Sequence, residues 1–277
     1  MALKINALIK TTVPSRLILT LGTFLAGIIA LGNNNIPLIL ATAASIAFAD
    51  MASSSINSLY DREIDSINRK NRPSSEKMRG STLAFAAALS LISLTIAFFI
   101  NLNLIAIVIA RLFFEYLYSV LRIKKVFIIN HISVGVTYCI IPLLAASSIT
   151  GNEIIPIFAY FFALSVIMTP LKDIDDVPGD KKYGVRTLPV VVGVQKAKAI
   201  IFSSAIILTL VTLILGGVKA LIIPSTITII VFMSLFAISK VVKDTKKSES
   251  ILTKTSMLFA IVIEIMFALN IGGFMFV

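Results

Sequence analysis

Long apolar segments separated by short polar connections run along the whole chain. Most of them approach the length of about 20 residues with which an α-helix crosses a bilayer. The segments occupy residues 15–31, 36–57, 81–101, 102–121, 126–149, 153–171, 197–215, 219–240 and 251–274. This pattern predicts an all-α, polytopic membrane protein with nine transmembrane helices.

The composition also indicates a membrane-embedded chain. Hydrophobic residues make up 57% of the 277 residues and charged residues only 14%, whereas a soluble domain averages about 25% charged residues. A single cysteine, Cys139, excludes a disulfide framework or a thiolate metal site within one chain. The net charge of +11 raises the question of nucleic acid, but the distribution of the charge indicates membrane topology, and no nucleic-acid partner is predicted.

Lysine and arginine are concentrated in alternate connections. If alternate connections lie on alternate sides of the membrane, every Lys and Arg except Arg111 and Lys219 belongs to one side. The positive-inside rule then predicts a multi-pass protein of the cell membrane with a cytoplasmic N-terminus and an external C-terminus. Residues 1–16 are basic but lack a small-residue cleavage site, so they are interpreted as leading into a retained first helix. The opposite-side connections are very short, which places the expected chemistry on the cytoplasmic face.

A polar stripe runs along the second predicted helix to its cytoplasmic end. Its members recur every three or four residues and therefore share one helix face: Asp50, Ser54, Asn57, Asp61 and Asp65. Ionisable groups inside a membrane face a protein interior or an aqueous cavity and are candidates for function. The alternative is that Asp61 and Asp65 are solvated residues at a helix end, paired with Arg62 or Arg69.

A second acidic cluster closes the sixth predicted helix on the same side of the membrane. It consists of Asp173, Asp175, Asp176 and Asp180. Two facing sets of carboxylates repel each other unless cations lie between them, and hard oxygen ligands suit Mg²⁺. Each cluster is followed by a basic loop, the second of which contains Lys181 and Arg186. The sequence therefore predicts a site for Mg²⁺ and a diphosphate.

The two acidic clusters occupy equivalent places along the chain. The first closes the second helix and the other closes the sixth, and each precedes a basic loop. This spacing predicts two four-helix halves plus one extra helix. No linker rich in Pro, Gly or Ser separates the halves, so a single domain over residues 1–277 is expected.

These motifs resemble those of the UbiA superfamily of membrane prenyltransferases. Its members carry an Asn-Asp-xx-Asp-xxx-Asp motif and a second Asp-rich motif across a helical barrel. Asn57, Asp61 and Asp65 match the first motif, whereas Ser58 stands where the family usually has Asp. Residues 172–180, followed by residues 184–188, are close to the usual form of the second motif. The resemblance extends over nearly the whole chain.

The resemblance implies a Mg²⁺-dependent site for an isoprenyl diphosphate inside a helical barrel. The implied metal ligands are Asn57, Asp61, Asp65, Asp173, Asp176 and Asp180. The residues on which catalysis is expected to depend most are Asp61, Asp65, Asp176 and Asp180. The implied phosphate ligands are Arg16, Arg72, Lys124, Lys181 and Arg186. Departure of the diphosphate would leave an allylic cation, which an acceptor attacks at C1.

The acceptor is less well defined than the diphosphate. The form of both motifs is most similar to the archaeal branch of the superfamily that makes digeranylgeranylglyceryl phosphate. That similarity implies attack by the sn-2 hydroxyl of geranylgeranylglyceryl phosphate, with Arg16, Lys124 or Arg186 on the acceptor phosphate. An aromatic acceptor such as 4-hydroxybenzoate, used in quinone synthesis, is the alternative. A secondary transporter is the alternative of another class, although its charges typically lie at the midplane rather than at helix ends. The oligomeric state is not predicted.

Four further polar residues lie within or beside predicted helices. Arg111 and Glu115, four residues apart, predict a structural ion pair on one helix face. His131 follows Asn130 near the start of the fifth helix, which favours a hydrogen-bonding role at the membrane interface. Glu264 lacks a partner nearby in the sequence and is assigned no chemistry.

Overall fold

The computed structural model describes residues 2–68, 78–151 and 155–214, and the regular structure within these ranges is entirely helical. The α-helices are α1 (Ala2–Thr11), α2 (Pro14–Leu31), α3 (Ile36–Tyr60), α4 (Arg62–Ile67), α5 (Arg79–Ile100), α6 (Leu102–Glu115), α7 (Phe127–Gly135), α8 (Ile141–Thr150), α9 (Ile155–Asp173), α10 (Val177–Tyr183), α11 (Leu188–Val192) and α12 (Val194–Ile214). Two π-helical turns continue α6 at Tyr116–Val120 and join α7 to α8 at Val136–Ile140. A 3-10 turn covers Ile123–Lys125.

Several of these helices match the predicted membrane spans. Within the described ranges, four segments are long and apolar enough to cross a membrane: Ile36–Tyr60, Arg79–Ile100, Leu102–Val120 and Phe127–Thr150. A shorter apolar helix covers Arg16–Leu31, and α9 and α12 lie over the sixth and seventh predicted spans. The all-α, multi-pass prediction is therefore confirmed over the described ranges. The last two predicted spans, 219–240 and 251–274, lie outside those ranges.

Small side chains allow the central helices to pack closely. Helix α3 lies along α5, and the hydroxyls of Ser45 and Ser93 donate to each other's backbone carbonyls at 2.9 and 2.7 Å. Where α2 meets α8, a Cβ added at Gly27 would lie only 2.9 Å from the Cβ of Ala146. Close approach of this kind is the main source of helix association in a bilayer, where apolar burial alone gives little advantage.

Asparagines close one end of the helical bundle. The amides of Asn33 and Asn101 donate to the carbonyls of Ile149 and Ser148 in the last turn of α8, at 2.8 and 3.0 Å. The side-chain oxygen of Asn101 also accepts a hydrogen bond from the Leu104 N–H at the start of α6, at 2.7 Å. These bonds satisfy backbone groups that the helix ends leave unpaired. This end of the bundle lies opposite the acidic clusters.

The acidic clusters lie in two similar units at the other end. Helix α3 is followed at once by the short helix α4, and α9 is followed after one turn by the short helix α10. Helix α4 packs against α10. The arrangement brings the two predicted acidic motifs into one region of the molecule.

Candidate active site

The first acidic motif lies at the junction of α3 and α4. Asp61 ends α3, and its N–H donates to the carbonyl of Asn57 at 2.9 Å. The Asn57 amide nitrogen donates to the Asp61 carboxylate at 3.0 Å and to the Ser119 hydroxyl at 2.9 Å. Asn57 is buried, and its side-chain oxygen Oδ1 accepts no hydrogen bond within the described part of the chain. Asp65, one turn further on in α4, is also buried.

Lys124 reaches this motif from the loop between α6 and α7. Its ammonium donates to the Asp61 carboxylate, and the side chain is only 5% exposed. The preceding Arg122 has a left-handed backbone with φ of 56° and leads into the 3-10 turn that carries Lys124. Lys124 also lies 5.6 Å from the ring centroid of Tyr118, whose hydroxyl donates to Asn130 at 2.9 Å. Lys124 is thus buried and bonded to the first acidic motif.

The second acidic motif begins where α9 ends. Asp173 is 2% exposed and accepts a hydrogen bond from its neighbour Lys172 at 2.5 Å. Its other carboxylate oxygen lies 3.8 Å from Nδ1 of His131. Neither ring nitrogen of His131 forms a hydrogen bond with any described residue. The ring packs edge-on against Phe127 and beside Asp173, and the hydrogen-bonding role of this histidine stays a prediction.

The two motifs meet through a glycine and an asparagine. The Gly179 N–H in α10 donates to the Asn68 side-chain oxygen, just past α4, at 2.8 Å. A Cβ added at Gly179 would lie 2.6 Å from that same oxygen. Only glycine fits this contact without displacing Asn68. Asp180, the next residue in α10, is buried and accepts a hydrogen bond from Thr187 at 3.5 Å.

A buried chain of polar contacts continues from Asn57 towards the middle of the helices. Ser119 donates to Glu115, and Arg111 donates to the second oxygen of Glu115 at 3.4 Å. The same guanidinium donates to Asp50 of α3 at 2.8 Å. The predicted ion pair between Arg111 and Glu115 is confirmed. Its third member, Asp50, and its link to Asn57 through Ser119 could not be predicted, because the partners are 61 and 62 residues apart in the sequence.

Comparison with known proteins identifies the family. The model of the UbiA prenyltransferase family matches residues 19–262. The chain belongs to the UbiA prenyltransferase family. A digeranylgeranylglyceryl phosphate synthase from Pyrococcus furiosus is 29% identical over 158 residues, which cover 56% of this chain and 57% of that protein. The chain thus spans little more than half the length of that relative.

Two further UbiA relatives cover more of the chain. The digeranylgeranylglyceryl phosphate synthase from Methanospirillum hungatei is 30% identical over 208 residues, covering 73% of this chain and 74% of that protein. A UbiA homologue from Archaeoglobus fulgidus, solved with DMAPP and Mg²⁺ bound, is 20% identical and covers 92% of this chain and 98% of its own, with a TM-score of 0.69. The structural likeness shows that the two chains share a fold.

The departure from the UbiA motif at Ser58 has a structural counterpart. Ser58 is fully buried, and its hydroxyl donates to the carbonyl of Thr11 at 3.0 Å. The Thr11 hydroxyl in turn contacts Ser55 at 2.9 Å. Ser58 therefore joins the end of α1 to α3 by a hydrogen bond. An aspartate at this position would bury a charge, which is unfavourable.

Three other predicted phosphate ligands of this UbiA chain lie within the described ranges. Arg16 lies in the first turn of α2 and interacts electrostatically with Glu115. Val13, which precedes this helix, is a β-branched residue with a strained φ of 47°. Lys181 and Arg186 are exposed, in α10 and just after it. Arg72 and Glu264 lie outside the described residues.

The donor atoms of the site are oxygens, as a hard divalent cation requires. The carbonyl oxygen of Asn57 and one carboxylate oxygen of Asp173 are buried without a hydrogen bond from any described residue. Across residues 2–68, 78–151 and 155–214, no three carboxylate, imidazole or thiol groups lie close enough together to form a complete metal-binding set. The available oxygens fit a Mg²⁺ ion that is bound by a few protein oxygens and completes its coordination with waters and substrate phosphates. They do not fit a site in which the protein supplies every ligand.

Proposed function

We propose that the chain transfers a geranylgeranyl group from geranylgeranyl diphosphate to the sn-2 hydroxyl of geranylgeranylglyceryl phosphate, in archaeal ether-lipid synthesis. The observation that carries this proposal is the meeting of two buried acidic motifs at one end of an apolar helical bundle, with Lys124 between α6 and α7 bonded to the first. Membership of the UbiA family supports prenyl transfer. The names of the Pyrococcus and Methanospirillum relatives support the lipid acceptor.

Mg²⁺ in this proposal is held by the oxygen ligands of both motifs. The first motif contributes Asn57, Asp61 and Asp65, and the second contributes Asp173, Asp176 and Asp180. When bound, Mg²⁺ neutralises charge on the diphosphate and so makes it a better leaving group. The buried oxygens of Asn57 and Asp173 that lack hydrogen bonds support this assignment. Asp61, Asp65, Asp176 and Asp180 are the carboxylates on which turnover depends most.

Cationic side chains balance the negative charge of the donor diphosphate and of the acceptor phosphate. Lys124, Arg72 and Lys181 are assigned to the diphosphate. The bond of Lys124 to Asp61 supports this role for Lys124. Arg16 and Arg186 are assigned to the phosphate of the acceptor. The bond from C1 to the diphosphate oxygen breaks, its electron pair leaves with the diphosphate, and the acceptor oxygen forms the new bond to C1. The acceptor hydroxyl loses its proton in this step, so the products are the ether, the diphosphate and one proton released to the medium.

The apolar surroundings of the motifs serve the same chemistry. Asn57, Asp65, Lys124 and Asp173 are each less than 5% exposed. A site of this kind strengthens charge interactions and keeps water away from the allylic cation. We assign the site to the cytoplasmic side, with the N-terminus there and the C-terminus outside, because the basic connections adjoin the acidic motifs. The whole chain, residues 1–277, then acts as one domain of nine spans in two four-helix halves plus one helix.

The direct test is transfer from labelled geranylgeranyl diphosphate by the full chain in detergent, with Mg²⁺ and with EDTA. Geranylgeranylglyceryl phosphate and 4-hydroxybenzoate are supplied in separate reactions. A Mg²⁺-dependent diether supports the proposal, whereas a prenylated phenol would move the chain to quinone synthesis. Loss of the diether in Asp61→Asn, at similar protein yield, ties the activity to this site.

A further inference from the structure

Helix α6 changes its geometry just before the loop that carries Lys124. The N–H of Leu121 donates to the carbonyl of Tyr116, five residues earlier, at 3.1 Å, which closes a π-helical turn. Such a turn inserts one residue into a helix and redirects the side chains near it, and it occurs often at functional sites. The side chain that this turn presents to α3 is Ser119, which is fully buried and lies 2.9 Å from the amide nitrogen of Asn57.

The contacts of Asn57 determine which way its amide points. Its nitrogen donates both to Ser119 and to the carboxylate of Asp61. An ionised carboxylate only accepts hydrogen bonds, so the opposite orientation would set two acceptor oxygens against each other. The side-chain oxygen Oδ1 of Asn57 is therefore the atom that remains available to a ligand. It is buried and accepts no hydrogen bond from any residue in the described ranges.

Ser119 can hold this amide only if its own proton points elsewhere. A serine hydroxyl has one proton and two lone pairs. The proton is donated to Glu115, which leaves a lone pair to accept from Asn57. Glu115 is itself held by Arg111, and Arg111 by Asp50. Because Asp50, Arg111 and Glu115 are at most 5% exposed, water competes little for these bonds.

We infer that Ser119 and Glu115 are positioning residues: the Ser119 hydroxyl, oriented by Glu115, holds the Asn57 amide so that its carbonyl oxygen stays available to a divalent cation. Arg111 holds Glu115, and Asp50 holds Arg111. This inference rests on the proposed function, since the cation is the one that the diphosphate transfer uses. A purely structural role, in which the same bonds only join α6 to α3, would affect stability and leave cation affinity unchanged.

The test uses Mn²⁺ alone as the probe for Mg²⁺, with the full chain in detergent. Binding is followed by the loss of the electron paramagnetic resonance signal of free Mn²⁺, and thermal unfolding is measured in parallel. Ser119→Ala removes the hydroxyl and is expected to weaken Mn²⁺ binding about three- to tenfold, the size of one hydrogen bond. Glu115→Gln keeps the size of the side chain but removes its charge, and a loss of about threefold is expected.

Ser93→Ala is the matched control. Ser93 is also fully buried and also bonds across to α3, at the carbonyl of Ser45, but it does not contact Asn57. It should lower the unfolding temperature about as much as Ser119→Ala does and leave the Mn²⁺ dissociation constant unchanged. Equal Mn²⁺ affinity in Ser119→Ala and the wild type would overturn the inference, as would an equal weakening in Ser93→Ala.

The proposed function and the inference fail in different ways. If the wild type binds Mn²⁺ saturably and Asp61→Asn loses that binding, the metal site stands, and the behaviour of Ser119→Ala decides the inference alone. If the wild type shows no saturable Mn²⁺ site, both the inference and the proposed metal assignment are overturned. Product formation in the presence of EDTA would then contradict Mg²⁺-dependent transfer separately.

Discussion

The two acidic motifs have similar sequences but are supported in different ways. Asn57 and Asp61 are held by Ser119 and Lys124, which come from the next long helix and its loop. Asp173 is paired with Lys172, its neighbour in sequence, whose side chain is 38% exposed. Asn57 and Asp61 are thus held by bonds from another helix and its loop, whereas Asp173 is bonded to its own neighbour and α10 is joined to α4 through Gly179 and Asn68. Two motifs with similar acidic residues can therefore be held by different kinds of contact.

The largest effect on stability is expected when the Arg111 guanidinium, which supports the first motif through Glu115, is removed. Arg111→Met keeps much of the side-chain volume but leaves the buried carboxylates of Asp50 and Glu115 without their guanidinium. Leaving buried charge unpaired costs about 3–5 kcal/mol. Unfolding of the detergent-solubilised chain, measured by temperature or denaturant, should show a loss of this size. Arg122→Met, at an exposed arginine, is the control and should change stability by less than about 0.5 kcal/mol.

A smaller effect is expected at the contact between the motifs. Gly179→Ala places a methyl group 2.6 Å from the Asn68 side chain, and overpacking of this kind costs about 1–3 kcal/mol. Turnover should fall as well, because α10 must shift away from α4. The control is Gly80→Ala in α5, where a Cβ meets nothing within 4 Å. Combining Gly179→Ala with Asn68→Ala should recover part of the lost stability; an unchanged loss would show that the two residues do not meet.

The smallest effect on stability belongs to the second motif. Lys172→Met leaves the buried carboxylate of Asp173 without its lysine. Because this lysine is 38% exposed, water can partly replace it, and a loss of about 1 kcal/mol is expected. The same unfolding measurement should therefore show a much smaller loss than Arg111→Met does. A loss as large as that of Arg111→Met would mean that the second motif is supported as firmly as the first.

The sequence predicted the helices and both motifs because each depends on neighbours in the chain. Apolar runs marked the spans, and the spacing of Asn57, Asp61 and Asp65 placed them on one face. Lys124 was predicted as a phosphate ligand, but its bond to Asp61 was not predicted, and neither was the bond of Ser119 to Asn57. Both bonds join residues more than 60 positions apart in the sequence. The π-helical turn at Tyr116–Val120 and the short helix α1 also leave no periodic signal of their own.

The central claim is that both acidic motifs form one diphosphate site. The most direct measurement is Mg²⁺-dependent binding of labelled geranylgeranyl diphosphate by the wild type, Asp61→Asn and Asp173→Asn, without acceptor. Each single substitution is expected to weaken binding by at least about tenfold, the scale seen when groups around a metal are lost. Wild-type affinity in either variant, in a protein that remains folded, would show that its motif does not hold the diphosphate and would contradict the single shared site.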